Sequence, residues 1–115
     1  MPRVAKRESE LEAAFQAELI RDLYAIFPGC VVLKNDSSYM QGIPDLTIFY
    51  KNKWAWLEVK AAWNSVHQPN QDYYVEMGDA MSFGAFIFPE NKDEILDEIQ
   101  TAFRSARAPR VPQRQ

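Results

Sequence analysis

The chain has few of the residues that usually announce a site. It contains one cysteine and one histidine in 115 residues, so an internal disulfide is excluded. Cys30 opens an apolar run and is expected as a buried core thiol rather than a nucleophile. His67 has no second metal-type partner nearby and is expected as a loop or capping residue rather than a general base. No stretch approaches the apolar length of a membrane span and no signal-peptide pattern opens the chain, so no membrane partner is expected. Net positive charge is lacking too: the formal charge is −3 and the pI about 5.1. Taken alone, that balance argues against a nucleic-acid partner.

The basic charge that is present lies at the ends. Arg3, Lys6 and Arg7 precede the first acid, Glu8, and after Glu98 come Arg104, Arg107, Arg110 and Arg114 with no acid. Two readings stand: solvated tails, or flexible basic arms supplying phosphate contacts that an acidic body cannot make. Residues 1–7 are read as a basic N-terminal arm, 8–104 as a single domain and 105–115 as a basic tail expected to be disordered. A hydrophobic fraction of 47% supports one compact core for that domain.

Apolar spacing predicts a helix from Glu8 to Phe27, with Leu11, Phe15, Leu19, Leu23 and Phe27 on one stripe beside Ile20 and Tyr24. Ser9 followed by Glu12 has capping-box form, and Pro28-Gly29 ends the helix. Cys30–Lys34 reads as a first strand, followed by a loop of turn formers, Asn35–Gly42. Asp45–Tyr50 and Trp54–Lys60 read as a hairpin around a Lys51–Lys53 turn. Gln71–Met81 is the second helix, with Pro69 near its start and Tyr74, Val75, Met77, Gly78 and Met81 as inner candidates. Gly84–Pro89 is the fourth strand. Asn91–Phe103 is the closing helix, with Asn91 as N-cap and Ile95, Leu96, Ile99 and Phe103 inward. The order α-β-β-β-α-β-α describes an α/β domain with a mixed four-stranded sheet flanked by helices.

Within the hairpin, strand alternation puts Glu58 and Lys60 on one face and Leu57 and Val59 on the other. Closure over the Lys51–Lys53 turn sets Asp45 opposite the Glu58–Lys60 end. Two carboxylates and an ammonium then converge at one end of a sheet. Carboxylates held that close repel, and a hard divalent cation with oxygen ligands removes the repulsion. A lysine beside them can orient an attacking water or stabilise a pentacovalent phosphate. Trp54 and Trp56 share the parity of Glu58 and are expected to pack in the core or at an interface, with base stacking as the lesser alternative.

Pro44-Asp45 … Glu58-Val59-Lys60 resembles the PD-(D/E)xK nuclease signature. Gly42-Ile43-Pro44-Asp45-Leu46 is similar in form to the same turn in its VRR-NUC branch and in small Holliday-junction resolvases. The resemblance extends from Glu8 to Pro89. It implies a restriction-endonuclease-like core and a metal-dependent DNA endonuclease that acts on branched or junction DNA as a homodimer. A cytoplasmic setting in a bacterial or phage-infected cell suits so small a chain. On this resemblance, Asp45, Glu58 and the carbonyl of Val59 would hold Mg²⁺ or Mn²⁺, and Glu12 would complete the acidic cluster directly or through water. Glu12 precedes Gln16 by one turn, as in VRR-NUC-like chains, and Glu18 is the weaker alternative. Lys60 would position the attacking water, and Gln71, or failing it Gln68, would orient the phosphate or the water. Ser37 or Ser38 would approach the scissile phosphate, with Lys34 as a further substrate contact. Tyr73, Tyr74, Met77, Met81 and the tryptophans are interface candidates. Two rival classes remain: a nuclease-fold module that binds DNA or protein without cutting, and an assembly factor whose hairpin charges are incidental.

Overall fold

Strand order in the sheet follows chain order: β1 (Val31–Lys34), β2 (Leu46–Tyr50), β3 (Lys53–Val59) and β4 (Gly84–Ile87). β1 and β2 pair antiparallel, as do β2 and β3, whereas β3 and β4 are parallel. A parallel pair needs a crossover, and α2 (Gln71–Met81) supplies it. A computed structural model describes residues 2–104, with side chains from Arg7 onward. The tail expected over 105–115 lies outside the described residues.

Alternation along β3 gives the sheet two faces, each with helix packed against it. Ala55, Leu57 and Val59 are buried on one face with Leu46 and Ile48 of β2 and Ile87 of β4. There they meet Phe15, Leu19 and Leu23 of α1 (Pro2–Ile26), Phe27 just after it, and Ile95, Leu96, Ile99 and Phe103 of α3 (Lys92–Arg104). Each helix offers an apolar stripe at helical spacing, so both can lie on the same sheet face. Lys92 ties them together, at 3.0 Å from Glu18 and 2.5 Å from Asp22. Cys30 is buried in this core, as expected of a structural thiol. On the opposite face α2 packs on β3 and β4. Trp56 lies under Gly78, where an added Cβ would come within 2.7 Å of the indole, and meets Tyr74 edge-on at 6.4 Å.

Several expected boundaries shift, each for a local reason. α1 begins at Pro2 rather than Glu8, because proline is tolerated in a first turn and nothing from Arg3 to Arg7 breaks a helix. Ser9 therefore lies inside the helix and caps nothing, which releases Glu12 from a capping role. Leu11 and Tyr24, expected on the inner stripe, are exposed. The Tyr24 hydroxyl instead accepts the Val32 N–H at 3.1 Å, covering part of the free edge of β1. Lys53 belongs to β3, and Lys51-Asn52 alone make the turn, with Lys51 at φ 57°. Met81, an inner candidate, is exposed at the last turn of α2. A 3-10 turn over Pro89–Asn91 precedes α3. The Asn91 side chain does not cap α3; it accepts the Phe88 N–H at 2.9 Å and donates to the Phe86 carbonyl at 3.1 Å.

Among the described residues no helix is long and apolar enough to cross a membrane.

Candidate active site

The hairpin register pairs Leu46 with Leu57, so one residue further Asp45 comes beside Glu58. Pro44 fixes the chain ahead of Asp45, and Asn35 holds that turn from the end of β1. Its side-chain amide donates to the Pro44 carbonyl and the Thr47 hydroxyl, both at 2.8 Å. Its backbone N–H donates to the Asp45 carbonyl at 2.8 Å. The Asp45 backbone N–H then donates to Glu58 Oε1 at 3.2 Å, while Asp45 Oδ2 accepts the Val59 N–H at 2.9 Å. Each carboxylate is thus held by the backbone of the other strand, and the two are forced into one site.

Glu58 and Lys60 are only 2% and 6% exposed, and buried charges need partners. Lys60 Nζ donates to the Val66 carbonyl at 2.9 Å and to Gln71 Oε1 at 2.7 Å. Gln71 Nε2 donates in turn to Glu58 Oε2 at 2.7 Å. A neutral amide at the first residue of α2 therefore links the acid and the base by accepting from one and donating to the other.

The cavity above these groups has a volume of about 290 Å³ and is lined by four carboxylates, Glu8, Glu12, Asp45 and Glu58, against one ammonium, Lys60. Glu8 and Glu12 reach it because α1 carries its inner stripe beyond Phe15: residues 8, 12, 15, 19 and 23 recur at helical spacing. Burial pushes the Glu58 carboxyl up to about 8, the Asp45 charge adds to that rise, and Lys60 opposes it. Burial also raises Asp45. Glu12 is raised by burial and then by the Asp45 charge. The site carries more negative charge than its own ammonium can balance.

That surplus bears on the metal implied by the resemblance. Among the described residues no three acidic, histidine or cysteine side chains sit close enough to form a ligand shell by themselves. The end of the sheet offers two carboxylates, with Glu12 lining the same cavity. Mg²⁺ typically takes one or two carboxylates and completes its shell with water and phosphate oxygens. An all-oxygen, over-acidic donor pair fits such an ion, and the carbonyl of Val59 belongs to the residue whose N–H binds Asp45.

Glu12, Asp45, Glu58, Lys60 and Gln71 therefore share one cavity, as the sequence predicts. Gln68 lines it too, and its backbone N–H donates to Gln71 Oε1 at 2.8 Å. Glu18 does not reach the site, since it faces α3 and pairs with Lys92. Ser37 and Ser38 line a neighbouring cavity, and Lys34, exposed at the end of β1, lines neither. His67, expected as a loop or capping residue, hydrogen-bonds Asp72 at 2.9 Å and stacks on Phe86 at 4.1 Å. Sequence reasoning missed Glu8, Asn35 and the Val66 carbonyl. Only Glu8 left a signal, one turn before Glu12. No protein-family model, curated protein or solved structure matches the chain.

Proposed function

We propose that the chain is a metal-dependent DNA endonuclease of the PD-(D/E)xK type, with the restriction-endonuclease-like core that its motif implies. The observation that carries this reading is the meeting of Asp45, Glu58 and Lys60 at one end of a hairpin, with both acids fixed by cross-strand backbone N–H groups. Raised acids in a cleft are otherwise a costly arrangement, and they are common where chemistry is done. Asp45 and Glu58 would hold Mg²⁺ or Mn²⁺, with Glu12, which lines the same cavity, acting through water. Bound there, the ion supplies charge neutralisation and Lewis acidity at the phosphate. Lys60, held by Val66 and Gln71, points its ammonium into the cavity, where it positions a water and offsets charge developing on the phosphorane. Gln71 orients water or phosphate without altering the charge of the site.

Branched DNA as substrate and a homodimer as the active form belong to the same proposal. Support for the dimer comes from the sheet. Val31 and Leu33 of β1 and Phe49 of β2 are exposed on the face that α2 covers over β3 and β4. Val31 and Phe49 are directly paired, so the patch is continuous.

The test is incubation of end-labelled four-way junction, flap and linear duplex with Mg²⁺, Mn²⁺ or EDTA. Paired symmetric nicks confined to the junction support the dimeric resolvase. Metal-dependent cutting of flap or duplex keeps the nuclease and removes the junction preference. DNA binding with no cutting under any metal favours the non-catalytic binding module.

A further inference from the structure

A second cavity adjoins the acidic one. Its volume is about 430 Å³, and Gln68 and Gln71 form a wall common to both. No ionisable side chain lines it; Ser37, Ser38, Gln41 and Gly42 form much of the rest. Gly42, at φ 92°, packs directly on Asn70, at φ 75°, and a Cβ on Gly42 would overlap Asn70. The loop after β1 and the loop before α2 are thereby locked together beneath the cavity. Ser38 spends its hydroxyl proton on Asp36 at 2.6 Å. The Ser37 hydroxyl and the Gln41 and Gln68 side-chain amides make no hydrogen bond with any described residue.

This lining holds no cation, so it lacks the charge with which arginine and lysine bind phosphate. It suits a base and a sugar, which present uncharged donors and acceptors of the kind that hydroxyls and amides match. The volume lies in the range of small-molecule pockets, roughly 300–1,000 Å³. A base stacked in a duplex cannot enter such a cavity; only an unpaired or extruded one can. Tyr39, next to Ser38, is 87% exposed, which leaves its ring free to stack on a splayed base.

We infer that this neutral cavity is a nucleoside subsite, receiving the base and sugar of an unpaired nucleotide beside the phosphate presented to Asp45, Glu58 and Lys60. The position of that phosphate rests on the nuclease reading; the preference for an unpaired nucleotide does not. The structure thereby favours DNA with a splayed strand at the cut, such as a flap or the opened centre of a junction, over continuous duplex.

The test measures fluorescence anisotropy of a labelled single-stranded oligonucleotide and a matched duplex, in EDTA at fixed low salt, and KM on a flap with Mg²⁺. The proteins are wild type, the double variant Ser37→Ala/Gln41→Ala and the separate variant Tyr39→Ala. The expected result is tighter binding of single strand than duplex, weakened about tenfold by the double variant, which removes two hydrogen-bonding groups, and severalfold by Tyr39→Ala. Duplex binding stays unchanged, and KM on the flap rises by a matching factor. Single-strand affinity and flap KM unchanged in both variants, with wild type still cutting, overturn the subsite and leave the nuclease standing. Lost single-strand binding in the variants, with no cutting by wild type, upholds the subsite and removes the nuclease.

Discussion

Lys60 stands 3.8 Å from Glu58, beyond hydrogen-bond reach, and Gln71 fills the gap by bonding both at 2.7 Å. The amide keeps the ammonium from collapsing onto the acid, which leaves both groups available to a third party in the cavity. Gln71→Leu should strip Glu58 Oε2 of its donor and Lys60 of one acceptor. The expected loss is about 1–3 kcal/mol of stability, the cost of an unsatisfied buried group, read from the urea midpoint. A midpoint equal to wild type would mean that Lys60 and Glu58 do not depend on the bridge.

The raised Glu58 sets the pH dependence of stability. Its folded value, about 8, lies above its ordinary value of 4.5, so between those pH values the folded chain holds a proton that the unfolded chain has released. Stability contributed by this group is complete below pH 4.5 and is lost as pH rises through about 8. Thermal melts without divalent cation should therefore show Tm falling across that window. Asp45→Asn keeps an oxygen for the Val59 N–H but removes the neighbouring charge. It should make the total fall smaller and end it at a lower pH without abolishing it, because burial is the larger cause of the rise. A fall of the same size, ending at the same pH, in Asp45→Asn would contradict the coupling of the two acids.

Cation binding should carry the opposite sign. Loading the site displaces the Glu58 proton, so Mg²⁺ affinity should rise about tenfold per pH unit below pH 8 and level off above it. Titration calorimetry in buffers of different ionisation enthalpy measures both the affinity and the released proton. Affinity independent of pH between 6 and 8 would remove Glu58 from the ligand set.

The exposed pair Val31 and Phe49 is the contact that the proposed dimer would use. Both free edges of the sheet carry side-chain hydrogen bonds, from Tyr24 at β1 and from Asn91 beyond β4, which favours face-to-face contact over edge pairing. Phe49→Glu should convert a dimer to a monomer in light scattering while leaving the circular dichroism unchanged, since the ring is exposed in the single chain.

Periodicity accounts for most of what the sequence made legible. The alternation Leu57-Glu58-Val59-Lys60 separates core from site, and a short polar turn brings Asp45 opposite Glu58. The spacing of Phe15, Leu19, Leu23 and Phe27 places α1 on the core. Other features follow no period. Val66 contributes a backbone carbonyl whose position depends on the path of a loop, and Asn35 acts through bonds to a turn nine to twelve residues away. Leu11 and Tyr24 have the right spacing but are exposed; apolar spacing cannot say where the sheet beneath a helix ends. Glu8 was obscured by the reverse effect, because an acid on an apolar stripe reads as a helix start.

The most direct test of the central claim is the single-turnover rate at which a labelled flap or junction is cut in Mg²⁺, compared between wild type and Lys60→Met. Removing one preorganised group that stabilises developing charge typically costs about a hundred- to a thousandfold, so the predicted result is a metal-dependent wild-type rate and a variant slower by at least that factor, with substrate binding retained. A Lys60→Met protein that cuts as fast as wild type, or a wild-type rate unaffected by EDTA, would contradict it.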